Sequence, residues 1–123
     1  MFKRVLLADD DEAVRALVKA TLNDTKRWQI IEARNGLEAL GLAKSEKPDL
    51  IILDVSMPYL NGFEVCRQLK DNPETRGISI LLVTGFPKDE HMERVRQVGA
   101  NGYLSKPFSV ADLLIKVEDA LEP

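Results

Sequence analysis

The feature of this sequence that most restricts its fold is a regular alternation of short apolar runs with stretches of helical periodicity. Apolar runs of the kind that form buried strands occupy residues 5–8, 28–33, 50–53, 78–83 and 101–104. Amphipathic stretches follow them at residues 12–23, 37–44, 63–70, 88–97 and 110–121. Strict alternation of strands and helices predicts a parallel sheet covered by helices on both faces. Because crossovers between parallel strands are right-handed, we expect an α/β fold with a doubly wound open sheet.

Local signals support the predicted ends of these elements. Asp11 is placed to cap the first helix and Ser109 the last, while Gly99 follows the fourth helix as its stop. The pair Asn61-Gly62 predicts a turn before the third helix. The apolar spacing that predicts the first helix comprises Val14, Leu17, Val18 and Thr21, and the second helix is predicted to carry Leu37, Leu40 and Ala43 on one face.

Length and composition restrict the class of protein without identifying its function. A chain of 123 residues predicts one domain over 1–123, and 45% hydrophobic with 30% charged residues is ordinary for a globular protein. A formal charge of −3 provides no basic field for nucleic acid. No apolar run approaches the ~20 residues needed to cross a membrane. The one cysteine, Cys66, cannot form an internal disulfide, so we expect a small buried thiol and a cytoplasmic location.

Polar residues follow four of the five predicted strands. Asp9, Asp10 and Asp11 come after the first strand, Asp54 after the third, Thr84 at the end of the fourth, and Lys106 after the fifth. The second strand ends at residues 32–34, which offer nothing selected for a joint site. Ligands of open parallel sheets bind outside the carboxyl ends of the strands. We therefore expect these sequence-distant groups to meet at one edge of the sheet.

The chemistry of this set points to a hard divalent cation and to phosphoryl transfer. Clustered carboxylates repel one another and need a counter-ion, and oxygen ligands without a cluster of histidine or cysteine select Mg²⁺ first and Mn²⁺ second. A carboxylate such as Asp54 can itself be the nucleophile and form an aspartyl phosphate. The Lys106 ammonium would neutralise charge on the transferred group, and the Thr84 hydroxyl would donate to one of its oxygens.

These residues resemble the receiver domains of bacterial two-component response regulators, close to the single-domain chemotaxis type. The resemblance covers residues 2–121 and rests on four motifs in order, each at a strand end. They are Leu6-Leu7-Ala8-Asp9-Asp10-Asp11-Glu12, Leu53-Asp54-Val55-Ser56-Met57-Pro58 continuing to Asn61-Gly62, Val83-Thr84-Gly85, and Ser105-Lys106-Pro107-Phe108. The fold that it implies is flavodoxin-like, with strand order 2-1-3-4-5.

The resemblance also implies a role for each site residue. Asp54 would be the phosphoacceptor, Asp10 would bind Mg²⁺ directly with Asp9 beside it, and the backbone carbonyl of Ser56 would be a further ligand. Thr84 and Lys106 would contact the phosphoryl group, and the Lys106–Pro107 peptide bond would be cis. A coupled shift of Thr84 and Tyr103 would then change the affinity of the face formed by the fourth helix, fifth strand and fifth helix.

The partners that the resemblance implies are a sensor histidine kinase or phosphotransfer protein upstream, and a target protein or output domain downstream. Dimerisation on phosphorylation and docking of a monomer are both open. The chain would catalyse only its own phosphorylation and slow dephosphorylation, which makes it a switch and not an enzyme. Among the departures from the family, Phe86 lies two residues past Thr84, and we hypothesise that it shields the acyl phosphate from water.

Other readings compete with this one. A Mg²⁺-dependent phosphohydrolase would carry a second acid close after its nucleophile, where Ser56 stands here, and a cap domain that 123 residues leave no room for. A flavodoxin-like cofactor carrier would need a phosphate loop after the first strand, where three aspartates repel phosphate. A degenerate receiver, never phosphorylated, would lack part of the set Asp10, Asp54, Thr84 and Lys106. Tyr103 has a simpler reading as packing on an edge strand.

Overall fold

A computed structural model of the protein describes residues 2–85 and 89–121. Ten elements alternate along these ranges and provide the frame for the site. The strands are β1 (Lys3–Ala8), β2 (Trp28–Ala33), β3 (Leu50–Asp54), β4 (Ser79–Thr84) and β5 (Gly102–Ser105). The helices are α1 (Glu12–Asp24), α2 (Gly36–Glu46), α3 (Gly62–Asp71), α4 (Asp89–Gln97) and α5 (Val110–Leu121).

The five strands form one parallel sheet in the order β2-β1-β3-β4-β5. This arrangement confirms the predicted fold class and strand order. Strand β3 lies in the middle, and all five of its residues are buried, which explains why its sequence is a continuous apolar run and not an alternating one. The reversal of strand order between β1 and β3 marks the edge where an open sheet binds its ligands.

Separate apolar layers cover the two faces of the sheet. In β3, Leu50 and Ile52 contribute to one layer, and Ile51 and Leu53 to the other. Helices α1 and α5 close the first layer with Val18, Leu22, Leu113, Val117 and Leu121. Helices α2, α3 and α4 close the second with Ala39, Ala43, Val65, Cys66, Leu69 and Val95. Burial raises the pKa of the Cys66 thiol to about 11, which suits an unreactive core residue.

Capping residues determine where the helices begin, largely as predicted. Asp11 caps α1 and accepts hydrogen bonds from Ala13 and Val14 at 2.9 and 3.3 Å. The predicted turn at Asn61 is an N-cap of α3, and the predicted stop at Gly99 has a φ of +80°. Strands β3, β4 and β5 each end one residue later than predicted, because the pairing between strands continues into polar residues, as where Thr84 pairs with Ser105.

The sequence-based assignment of the buried helix faces is wrong for two leucines. The buried face of α1 consists of Arg15, Val18 and Leu22, and Leu17 is 54% exposed. In α2 the buried face is Gly36, Ala39 and Ala43, and Leu37 is 58% exposed. The face that α2 buries carries small residues, and the face that α1 buries includes an arginine whose guanidinium is hydrogen-bonded, so neither buried face matches the stripe of largest apolar residues. Within the described ranges, no helix has the length and apolar content to span a membrane.

Candidate functional site at the carboxyl edge of the sheet

Three carboxylates from two neighbouring strands meet at the carboxyl edge of the sheet. Asp9 and Asp10 directly follow β1, Asp54 ends β3, and one oxygen of each lies within 4.8 Å of the others. Asp9 and Asp54 are only 3% and 5% exposed, while Asp10 is open to solvent. An oxygen-only set of this size, with one open side for water, fits a hard cation such as Mg²⁺, which keeps several waters and takes few carboxylates.

The buried position of Asp54 alters its acidity. Desolvation, together with the charge of Asp9, raises the pKa of Asp54 from 3.8 to about 6. Lys106 and the Ser56 N–H, which donates to Asp54 Oδ1 at 3.3 Å, act in the opposite direction without outweighing burial. The carboxylate is therefore ionised at neutral pH, although burial and Asp9 disfavour its negative charge more than Lys106 and the Ser56 N–H favour it. A bound cation, or a covalent bond at one of its oxygens, would reduce this unfavourable electrostatic energy.

Lys106 supplies the positive charge of the cluster. Its Nζ lies 3.1 Å from Asp9 Oδ2, to which it donates a hydrogen bond, and 3.4 Å from Asp54 Oδ2. Burial disfavours the ammonium, but the contacts with Asp9 and Asp54 together outweigh it and raise the Lys106 pKa. The backbone N–H of Lys106 donates to the Thr84 carbonyl at 2.8 Å, and the Lys106–Pro107 peptide bond is cis, as the resemblance implied.

The remaining predicted site residues have different positions relative to this cluster. Thr84 is buried at the end of β4, one position beyond the pairing of Asp54 with Val83. Ser56 lies in the loop after Asp54, and its backbone N–H, not its carbonyl, makes the observed contact with Asp54. Tyr103 pairs with Leu82, two residues before Thr84, so Tyr103 and Thr84 lie on the same face of the sheet. Phe86 lies outside the described residues.

Tyr103 is half-buried at the edge of the sheet. It packs against the apolar layer on the α3 side, and Lys116 Nζ lies 5.8 Å from the centre of its ring. These contacts are sufficient to explain an aromatic residue on an edge strand by packing alone. Its predicted role as a switch stays a prediction.

A buried arginine that the sequence pattern did not indicate supports the acidic loop. Arg15 Nη1 donates to the Asp9 carbonyl at 2.7 Å, and Arg15 Nε lies 3.5 Å from Glu32 Oε1 on β2. Lys19 Nζ approaches the other oxygen of Glu32 at 3.1 Å. The expectation that the end of β2 contributes nothing to the site is therefore incomplete. The detectable signal was a charged residue at 15, in the same helical stripe as Val18.

The loop between β3 and α3 packs tightly against the backbone of Asp54, the candidate phosphoacceptor. The Gly62 N–H donates to the Val55 carbonyl at 2.9 Å, and a Cβ on Gly62 would lie 2.4 Å from the Asp54 carbonyl oxygen. Only glycine permits this approach. In the same loop Tyr59 has a φ of +71° and is 81% exposed, a conformation that bulky residues rarely adopt.

Comparisons with known proteins agree with this geometry. The sequence profile of the response regulator receiver domain matches residues 5–118. The chain is 39% identical over 121 residues to the polar-differentiation response regulator DivK of Brucella anthropi, covering 98% of each chain. It is similar in structure to the chemotaxis protein CheY4 of Vibrio cholerae, with a TM-score of 0.91 at 33% identity, covering 98% of this chain and 100% of that one. A CheY-like receiver protein of Methanospirillum hungatei gives 0.90 at 27% identity, covering 99% and 95%.

Proposed function

The chain belongs to the response regulator receiver domain family of two-component systems, and on that premise we propose that it accepts a phosphoryl group on Asp54 from a sensor histidine kinase or a phosphotransfer protein. The observation that carries the proposal is the buried Asp54 carboxylate, grouped with Asp9 and Asp10 within 4.8 Å and contacted by Lys106 at 3.4 Å. The acid stands at the carboxyl end of β3, on the edge of the sheet where open parallel sheets bind their ligands.

In the proposed reaction an Oδ atom of Asp54 attacks the phosphorus atom of the donor phosphohistidine. The P–N bond breaks, its electron pair stays on the imidazole nitrogen, and that nitrogen takes up a proton. A pKa of about 6 leaves Asp54 ionised at neutral pH, as the nucleophile must be. The Lys106 ammonium, which contacts the Asp54 carboxylate, would pair with the phosphoryl oxygens as they take over the negative charge. The buried Thr84 hydroxyl would donate a hydrogen bond to one of these oxygens.

The acidic cluster is the proposed metal site. Asp10 and Asp54, with Asp9 beside them and the Ser56 carbonyl as a further ligand, would hold Mg²⁺ or Mn²⁺. When bound, the cation would neutralise negative charge on the phosphoryl group. The exposed side of Asp10 leaves room for the waters that Mg²⁺ retains.

An apolar surface next to Lys106 supports a protein donor. Val14, Leu17, Lys106, Pro107 and Phe108 line a recess of about 340 Å³, and Leu17 is 54% exposed there. Exposed apolar side chains beside a reactive group are typical of a docking surface. We expect Leu17→Ser to slow transfer from a phosphorylated phosphotransfer protein and to leave labelling by acetyl phosphate unchanged, since the small donor does not need the surface.

Downstream, we propose that phosphorylation biases an existing equilibrium of the face formed by α4, β5 and α5, through Thr84 and Tyr103. The output is a target protein or output domain, engaged by a monomer or by a phosphorylation-dependent dimer. The alternative is a receiver of the degenerate kind, which binds partners without being phosphorylated. The close contact of Lys106 with two carboxylates favours the active receiver.

The intact mass of the protein after incubation with acetyl phosphate tests the phosphoacceptor directly. We expect one Mg²⁺-dependent phosphoryl adduct on the wild type, none on Asp54→Asn, and an unchanged adduct on Asp71→Asn, an exposed aspartate outside the cluster. If neither acetyl phosphate nor a phosphohistidine donor produced an adduct on the wild type, the degenerate alternative would hold. An adduct that persists on Asp54→Asn would move the acceptor to another residue.

A further inference from the structure

A second polar cleft lies between α3 and α4, outside the acidic site. Its volume is about 320 Å³, and it is lined by Phe63, Glu64, Arg67, Arg94, Gln97 and Val98. Arg67 comes from α3 and Arg94 from α4, so each wall of the cleft presents one exposed guanidinium. Two arginines and one glutamate give the lining a net positive charge, in a protein whose formal charge is −3.

The arginines of this cleft differ from most other arginines of the chain. Elsewhere a glutamate oxygen lies 3.0 to 3.6 Å from each of Arg4, Arg15, Arg27, Arg34 and Arg96. In the ranges that the structure describes, neither Arg67 nor Arg94 makes an ion pair. Glu64, the acid on the rim, accepts instead from the Asn61 side chain at 3.0 Å. Two guanidiniums face one cleft, and in the described ranges no carboxylate lies within 4.0 Å of either, so a bound anion would pair with charges that have no close partner.

One of the two guanidiniums is held in place before any ligand arrives. Arg94 lies over the buried Phe63 ring, with its Cζ 4.8 Å from the ring centre. A stacked guanidinium keeps its planar fork free for a bidentate contact and loses little entropy on binding. Lys70, further along α3, donates to the carbonyls of Arg76 and Ile78 and so serves the fold. In the ranges that the structure describes, neither Arg67 nor Arg94 donates to a backbone carbonyl in this way.

We propose that the α3–α4 cleft binds an acidic segment of a partner protein, with aspartate or glutamate carboxylates bridging Arg67 and Arg94. A pair of guanidiniums matches one or two carboxylates on a protein. A nucleic acid would need a longer basic stripe, and the acidic chain as a whole repels a polyanion. Gln97 adds an amide for the peptide backbone of the partner. The proposal does not depend on phosphorylation of Asp54.

The test follows the arginine side-chain N–H signals by NMR while an acetylated peptide of alternating glutamate and alanine is added. We expect saturable shifts of the Arg67 and Arg94 signals. Either Arg67→Gln or Arg94→Gln should weaken binding roughly tenfold, the effect of losing one charge-assisted contact. Arg76→Gln is the matched control, because Arg76 is also exposed and makes no ion pair in the described ranges but does not line the cleft.

Three outcomes would overturn the proposal. The first is a shift of the cleft signals that does not saturate, or that a peptide with glutamine in place of glutamate reproduces. The second is an equal loss of binding in Arg76→Gln, which would reduce the effect to general charge. The third is tighter binding of a single-stranded oligonucleotide than of the acidic peptide, since the ligand class would then be nucleic acid. Thermal unfolding of each variant confirms that these exposed substitutions leave the fold intact.

Discussion

Replacing Asp54 by asparagine is expected to make the metal-free protein more stable, and to do so only above about pH 4. The reason is that the fold holds this carboxylate in a place that disfavours its charge, through burial and the nearby charge of Asp9. Asparagine has the same shape and no charge, and its carbonyl oxygen retains an acceptor for the Ser56 N–H. The substitution thus removes a cost that the site imposes on folding.

The magnitude follows from the pKa of Asp54, which rises from 3.8 to about 6, a difference of about two units. One unit corresponds to ~1.4 kcal/mol, so the ionised carboxylate costs up to ~3 kcal/mol at pH 8. The pKa of about 6 already includes the opposing attraction of Lys106, whose Nζ lies 3.4 Å from Asp54, so the expected gain on removing the charge is up to ~3 kcal/mol. Between pH 6 and 4 the folded wild type binds this proton more tightly than the unfolded chain, so its disadvantage disappears as the pH falls.

Urea unfolding in a chelating buffer at several pH values between 4 and 8 measures this difference. The free-energy gap between Asp54→Asn and the wild type should be largest at pH 8 and close to zero near pH 4. Asp10→Asn is the control, because Asp10 is exposed and should change stability by no more than ~0.5 kcal/mol. A gap that is independent of pH, or one that favours the wild type at pH 8, would refute the assignment of a raised pKa to Asp54.

Three further substitutions test the surroundings of the site. Arg15→Met should weaken Mg²⁺ binding about tenfold in calorimetric titration, beyond any loss of stability, because Arg15 holds the Asp9 carbonyl at 2.7 Å; unchanged affinity would make Arg15 purely structural. Tyr59→Gly should raise the free energy of unfolding by ~0.5–1 kcal/mol by relieving a φ of +71°, and a loss of stability would contradict that strain. Gly62→Ala should destabilise the protein by ~3 kcal/mol or more in thermal unfolding, since its Cβ would meet the Asp54 carbonyl at 2.4 Å. Gly41→Ala, whose Cβ meets nothing within 4 Å, should be neutral or stabilising.

The sequence predicts the fold well because the pattern of a short apolar run followed by an amphipathic stretch recurs five times along the chain. Each strand is a short apolar run, each helix has a stop or a cap, and right-handed crossovers exclude most other topologies. The convergence of Asp9, Asp10 and Asp54 was predictable for the same reason, since parallel strands bring their carboxyl ends to one edge. The same reasoning brings Lys106 to this edge, but its two specific contacts with Asp9 and Asp54 could not be predicted, because they depend on the path of the loop after β5.

The errors have a common physical origin in helix rotation. A periodic pattern fixes the spacing of a buried stripe but leaves its centre uncertain by about one residue, or roughly 100°. In α1 the buried stripe includes Arg15, which a hydrophobicity pattern excludes, whereas Leu17, one of the apolar positions that predict this helix, lies at the surface. The arginine is accepted inside because the Asp9 carbonyl and Glu32 satisfy its guanidinium. The polar contacts of one buried arginine therefore explain why the buried face of α1 departs from the apolar pattern.

The strand order also explains why the positively charged side chain that contacts the acidic cluster must be a long one. Strand β5 lies two strands from β3 and three from β1. At about 4.8 Å per strand those separations are roughly 10 and 14 Å, so no short side chain from the end of β5 reaches the carboxylates. Lys106 spans the gap because its loop starts at the same edge, where its N–H is tied to the Thr84 carbonyl, and because four methylene groups carry the ammonium over β4. The same reach lets one charge contact both Asp9 and Asp54. Any shift of the β4–β5 edge would therefore change the charge balance at Asp54 directly.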